Sequence, residues 1–255
     1  MFPGWVRTLM VLQLALITAG VDWCSLRCDR GLLHTMCGFE GGSSRRYCRN
    51  MQNTMSPSKR ADLLHWHNSY RNNFAEGKLR VPGNIITGVA NMRQMTYYDD
   101  LEIIAQKWAE QCVPAHDVCR TTAKFQEEVG FNSGQNFGTQ KSDLGFPSDE
   151  STRYNFLEWT NERKNVPGVE LASFGHTEDK QETWSHWTQL VWANSYTLGC
   201  FRSSSTKVEG QFERTTFCNY GPGGNLRGQR VFRVGPPCSR CPRGTSCRFD
   251  SEYPS

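Results

Sequence analysis

Apolar side chains return at helical spacing in four stretches of this chain and form short strand-like runs in four others. After Ser56-Pro57, an N-cap followed by proline at the first helical position, Leu63, Trp66, Tyr70 and Phe74 mark one face of a helix. Asp100 reads as the cap of a second helix, along which Leu101, Ile104, Ala105 and Trp108 line up. A third helix is expected around residues 152–162. The fourth starts SHWTQLVWANSYTLGC, residues 185–200, where Trp187, Leu190, Val191 and Asn194 stand at i, i+3, i+4 and i+7. Strands are expected at 94–98, 196–202, 212–220 and 229–234, the second and third pairing through the polar loop 203–210. Helices and short strands joined by long loops point to an α+β fold with a sheet layered between helices.

The pattern lapses outside residues 57–234. Arg7, an apolar run over 9–17 and the small residues Thr18-Ala19-Gly20 read as a secretory signal peptide covering 1–20, too short an apolar run to span a bilayer. Residues 21–56 are rich in Gly, Ser and Arg and carry four cysteines, so they read as a loop held by disulfides. Residues 235–255 form a short tail that opens near Pro236-Pro237 and holds three more. All 11 cysteines follow the signal, which in an exported chain reads as a disulfide framework with one thiol left over. Charge is uninformative: removing Arg7 from a formal +4 leaves +3, with no basic run dense enough for nucleic acid. No N-x-Ser/Thr sequon occurs, and no later segment approaches the roughly 18 apolar residues of a membrane helix.

Most motifs that suggest chemistry have a plainer reading. His65-Trp66-His67 looks like a chelate, but residues two apart on a helix face away from one another. The neighbouring Asn68 and Arg71 are expected to make buried hydrogen bonds. Cys238 and Cys241 form a C-x-x-C with prolines on both sides and no second pair, which excludes the thioredoxin and zinc-ribbon readings. GPGGN, residues 221–225, lacks the Lys-Ser/Thr of a phosphate loop and reads as a turn. No G-x-S-x-G serine elbow is present. Three polar residues remain: His116, Glu162 and His186, two imidazoles and a carboxylate of the kind that holds a divalent ion. Their spacing alone does not show that they meet.

Four stretches, in order, resemble the motifs of the CAP superfamily of cysteine-rich secretory, antigen 5 and pathogenesis-related proteins. HNSYR and GQN (134–136) are similar to its two shorter motifs, HWTQLVWANS and FCNYGPGGNL (217–226) to its two signatures. The lead CSLRCDRGLLHTMC resembles that of arthropod antigen 5 venom allergens. The resemblance implies an α/β/α sandwich around a small antiparallel sheet, with residues 57–234 as the CAP domain. It also implies the bonds Cys24–Cys37, Cys28–Cys119, Cys48–Cys112 and Cys200–Cys218, each of which would stabilise by ~2–4 kcal/mol.

Carried over by motif, the family's His-Glu-Glu-His cleft falls on His116, Gln135, Glu162 and His186. Gln135 stands where many relatives have Glu, and an amide oxygen brings no charge to an ion. Ser185 stands where Gly is common. What the resemblance implies is a secreted, extracellular, non-enzymatic protein that binds a small hydrophobic ligand such as a sterol or fatty acid, or an extracellular protein target. The alternative is a metal-dependent hydrolase, with Glu162 as base for water on an ion, such as zinc, held by His116 and His186. Ion-channel modulation belongs to relatives with a larger cysteine-rich C-terminal domain than this tail provides.

Overall fold

The computed structural model describes residues 21–28, 31–39, 47–129, 133–177 and 183–247. The segment read as a signal peptide lies outside the described residues. In chain order the elements are α1 (Thr35–Gly38), β1 (Cys48–Asn53), α2 (Pro57–Ala75), β2 (Thr96–Tyr97), α3 (Asp99–Ala109) and α4 (Ala123–Val129). They continue with β3 (Gly134–Ser142), α5 (Ser151–Asn161), α6 (Gly168–Ala172), α7 (Ser185–Leu190), β4 (Thr197–Lys207) and β5 (Phe212–Gly221). The strands form one sheet in the order β1-β4-β5-β3, antiparallel throughout except that the short β2 runs parallel to β4.

Strand alternation sorts the side chains of this sheet onto two covered faces. Leu198, Cys200, Cys218 and Tyr220 point into a core with Leu63 and Phe74 of α2, Phe156 and Trp159 of α5, and Trp187 and Leu190 of α7. Phe201 and Phe217 point the other way, against Ala105, Trp108 and Ala109 of α3. Burying each large apolar side chain contributes ~1.5–3 kcal/mol, so the two layers hold the sheet from both sides. Gly199 is what lets α3 lie so close: a Cβ there would stand 2.4 Å from the Glu102 backbone nitrogen. This is the α/β/α sandwich that the family resemblance implies, and the sheet layered between helices that the sequence pattern points to.

Several boundaries differ from the sequence reading, each for a physical reason. The cysteine-rich lead contributes an edge strand, β1, because Cys48–Asn53 finds backbone partners along β4. Its sequence CRNMQN has no apolar alternation to announce it. β3, GQNFGTQKS, was hidden for the same reason, yet it pairs with β5 from Gly134↔Tyr220 to Ser142↔Phe212. Residues 229–234 form no strand and make one isolated bridge, Val89↔Val234. Asp100 lies inside the first turn of α3, not at its cap; Tyr98 holds that position and donates its hydroxyl to the Asp100 carboxylate at 2.8 Å. α7 ends at Leu190, short of the period that reached Asn194.

Four disulfides tie the lead and sheet together. Cys24–Cys37 closes the lead on itself, and Cys28–Cys119 fastens it to the loop after α3. Cys48–Cys112 clips β1 to the end of α3, and Cys200–Cys218 joins residues directly opposite on β4 and β5. In the tail Cys238 pairs with Cys247, and Cys241 is exposed with a free thiol. Among the described residues no helix is long and apolar enough to cross a membrane.

Candidate functional site

Long-range hydrogen bonds lead from the buried face of α2 to the sheet edge. His67 is fully buried, donates Nδ1–H to the Leu63 carbonyl at 2.7 Å, and lies 2.9 Å from the Tyr220 hydroxyl through Nε2. With Nδ1 protonated, Nε2 is the acceptor, and Tyr220 donates to it. Asn136 of β3 in turn donates to the Tyr220 oxygen at 3.2 Å and to the His186 carbonyl at 2.9 Å. Desolvation lowers the His67 pKa to about 4, the Leu63 bond opposing it and the charge of Arg71 adding to it. Neither of the paired histidines in His65-Trp66-His67 shares a ligand: His65 contacts Ser69 on the outer face.

Arg71 replaces a carboxylate partner with backbone. Its guanidinium donates to the carbonyls of Arg93, Leu190, Trp192, Ala193 and Ser195, which stitches α2 to the segment following α7. Asn68 exchanges two bonds with the Met95 backbone, at 2.9 and 2.8 Å. These contacts fix the end of α7 from behind.

The start of α7 is fixed by Glu162, in a 3-10 turn that follows α5. One carboxylate oxygen accepts the backbone N–H of His186 at 3.0 Å and of Trp187 at 3.1 Å, and the other accepts His186 Nδ1–H at 2.6 Å. Trp184, at the cap position, offers no side-chain bond of its own, so the distant carboxylate does the capping. Trp159 stacks on the His186 ring with 6.2 Å between centroids. Asn225 closes the turn from the other side, donating to the Ser185 carbonyl at 2.8 Å and accepting from Thr188 at 2.7 Å. Gly134 leaves room for Gln189 against β3, where a Cβ would meet its Oε1 at 1.9 Å.

His116 and Gln135 form a second pair. The His116 Nδ1–H donates to Gln135 Oε1 at 2.7 Å, and Phe137 meets the ring edge-on at 5.1 Å. The Gln135 amide nitrogen donates to Asp117 at 3.1 Å and to Asn219 at 3.0 Å, so its orientation is set by two acceptors. Asp117 is buried and also takes bonds from Thr35 and Arg120, which couples the disulfide-bound lead to this corner. Desolvation of the inner ring face lowers the His116 pKa, with the charges of Arg120 and His186 adding to the shift and Gln135 and Asp117 opposing it.

Both pairs adjoin β3. Gln135 shares the α3 face of the sheet with Asn219, while Asn136 points to the α7 face and holds the His186 carbonyl. Each ring uses Nδ1 within its pair, which leaves Nε2 as the atom available to a ligand or ion. This is the arrangement in which an outer partner fixes the tautomer of a metal-binding histidine. The carboxylate is already committed to three donors, and no group of three or more His, Cys, Asp or Glu that could hold a metal occurs among the described residues. Of the four residues, only the two imidazoles keep a nitrogen outside these pairs. No sequence signal pairs Asp117 with Gln135; only the fold brings them together.

The family model of the cysteine-rich secretory protein family, CAP, matches residues 64–220, more than half of the chain. Venom allergen 5 of Vespa mandarinia is 32% identical over 217 residues, covering 83% of this chain and 98% of that protein. A protein described as CRISP/Allergen/PR-1 from Trittame loki is 32% identical over 214 residues, 84% of this chain but 50% of its own length. Among solved structures, a crystal structure of NaASP2 with Zn2+ superposes with a TM-score of 0.54 at 26% identity, covering 75% of this chain and 93% of that one.

Proposed function

Because the chain belongs to the cysteine-rich secretory protein (CAP) family and is similar to venom allergen 5, we propose that it is a secreted, non-enzymatic binding protein. The observation that carries this reading is that Glu162, the one carboxylate among His116, Gln135, Glu162 and His186, is engaged in holding its neighbours. A general base must reach a water or a substrate proton with a free lone pair. Glu162 instead accepts from three donors that hold α7 in place, and Gln135 cannot act as a base. The cleft has the character of a rigid recognition surface. Its ligand class, following the family resemblance, is a small apolar molecule such as a sterol or fatty acid, or an extracellular protein. Exposed Tyr154 and Leu157, three residues apart on α5, offer apolar surface of the kind such a partner covers.

Zinc is a secondary occupant in this reading. Nε2 of His116 and of His186 would hold it, and the ion would supply Lewis acidity there when bound. Two neutral ligands give a weaker site than three. The hydrolase alternative requires turnover that depends on Glu162. Assays of the secreted protein and its Glu162→Gln variant against ester and peptide substrates, with and without zinc, test this. No turnover by either is expected; activity in the parent that the variant loses would favour the hydrolase.

A further inference from the structure

The stretch after β5 carries charge that the cleft does not use. From Arg214 to Arg248 the sequence holds seven arginines and no Asp, Glu or Lys. They are too spread out to read as a basic run, but the fold gathers part of them. The Arg233 carbonyl accepts the Ala90 N–H at 2.8 Å, and the Ala90 carbonyl accepts the Arg240 N–H at 3.0 Å, so two arginines bracket one residue. Arg230 lies three residues before the first and Arg243 three after the second, each within ~11 Å along the chain. All four are exposed, and none makes an ion pair or a side-chain hydrogen bond among the described residues. The Cys238–Cys247 disulfide closes the loop that presents Arg240 and Arg243. Two carboxylates on neighbouring segments are occupied elsewhere. Glu76 pairs with Lys78 at 2.8 Å, and Glu170 is buried, taking bonds from Gly175 and Thr177.

Guanidiniums held near one another without acidic partners raise the local positive potential, and each offers paired N–H donors to anionic oxygens. We infer that Arg230, Arg233, Arg240 and Arg243 form a docking strip for a sulfated polysaccharide, apart from the cleft. The choice of an extracellular polyanion rests on the secreted reading above; the strip itself does not. A basic segment that lies on a membrane needs an apolar face beneath its charges. Here Val231 and Phe232, between Arg230 and Arg233, are turned into the core at 1% and 2% exposure, which leaves Val234 as the segment's exposed large apolar side chain. A sulfated sugar chain needs no such face, since its sulfates reach several arginines at once. Fixing two of those arginines on a disulfide-closed loop lowers the ordering cost of binding.

Binding of a fluorescent heparin octasaccharide by the full chain, followed by anisotropy at rising salt, tests the strip. Saturable binding that weakens steeply with salt is expected. Arg233→Ala combined with Arg240→Ala should weaken it roughly ten-fold and lower the slope of log affinity against log salt by roughly 1–2. Arg153→Ala, at an exposed arginine of α5, should leave it unchanged. Arg243→Glu should also weaken binding, and it serves if circular dichroism shows the double variant unfolded. No heparin binding, or a folded double variant that binds as tightly as the parent, would overturn the inference. Equal binding of fully desulfated heparin would overturn it too. Capture by phosphatidylserine vesicles in place of heparin would assign the strip to a membrane surface and equally sink the proposal. None of these results depends on what the cleft carries, so the strip and the cleft reading fail separately.

Discussion

Glu162 holds His186 twice, through the ring Nδ1 at 2.6 Å and through the backbone nitrogen at 3.0 Å. A single carboxylate thus sets both the direction of the imidazole and the first turn of α7. Glu162, expected as a ligand or base, is structurally a clamp on another cleft residue, and a change there moves stability.

Glu162→Gln should therefore lower stability by about 1 kcal/mol, the usual cost of weakening a helix cap. Thermal melts should show a fall of roughly 2–4 °C. An unchanged Tm would mean that the clamp carries no weight.

Gln135→Glu tests the other pair. The amide nitrogen of Gln135 faces Asp117 and Asn219, both acceptors, so a carboxylate there meets oxygen with oxygen. Stability at neutral pH is expected to fall by roughly 2 kcal/mol. The added charge should at the same time tighten zinc binding, as followed by calorimetry, and both proteins should lose zinc as pH falls below about 6.5. No zinc binding by either protein at neutral pH would remove the ion from the account.

Acid should weaken the fold through His67. Its folded pKa, about 4, lies below the unfolded value of 6.5. The unfolded chain therefore binds the proton first, and the contribution is complete above pH 6.5 and lost as pH falls toward 4. The loss amounts to roughly 3 kcal/mol at the low end. A proton on Nε2 would also face Tyr220, which already accepts from Asn136. His34, a buried ring lowered mainly by desolvation, acts in the same direction. Denaturant titrations at pH 7 and 5 should show the drop, and His67→Gln should flatten it. An equal drop in that variant would place the effect elsewhere.

Arg71→Lys should cost roughly 3 kcal/mol, since an ammonium has three donors for the five carbonyls that the guanidinium reaches. Urea midpoints measure this. A loss below a third of that size would show that the carbonyls find other partners.

What the sequence revealed followed from periodicity. Leu63 and Phe74 lie on the buried face of α2, and Leu198 and Phe201 on opposite faces of β4, as spacing alone suggests. The strands it concealed are β1 and β3, edge elements whose polar sequences, glycine-containing in β3, are held in place by β4 and β5 rather than by their own pattern. The reverse error arose at 229–234, where apolar Val231 and Phe232 are buried in the core without joining the sheet. The cleft was legible only through family resemblance. His116 and Gln135 lie 19 residues apart, and Glu162 and His186 24 apart, distances that no local rule connects.

The central claim is that the cleft recognises and does not catalyse. Native mass spectrometry of the protein secreted from insect or mammalian cells, followed by denaturing extraction of any carried small molecule, tests it most directly. A one-to-one complex with an apolar molecule is expected, retained by Glu162→Gln under conditions where that variant is folded. A protein that carries nothing, yet turns over a substrate in a manner abolished by Glu162→Gln, would contradict it.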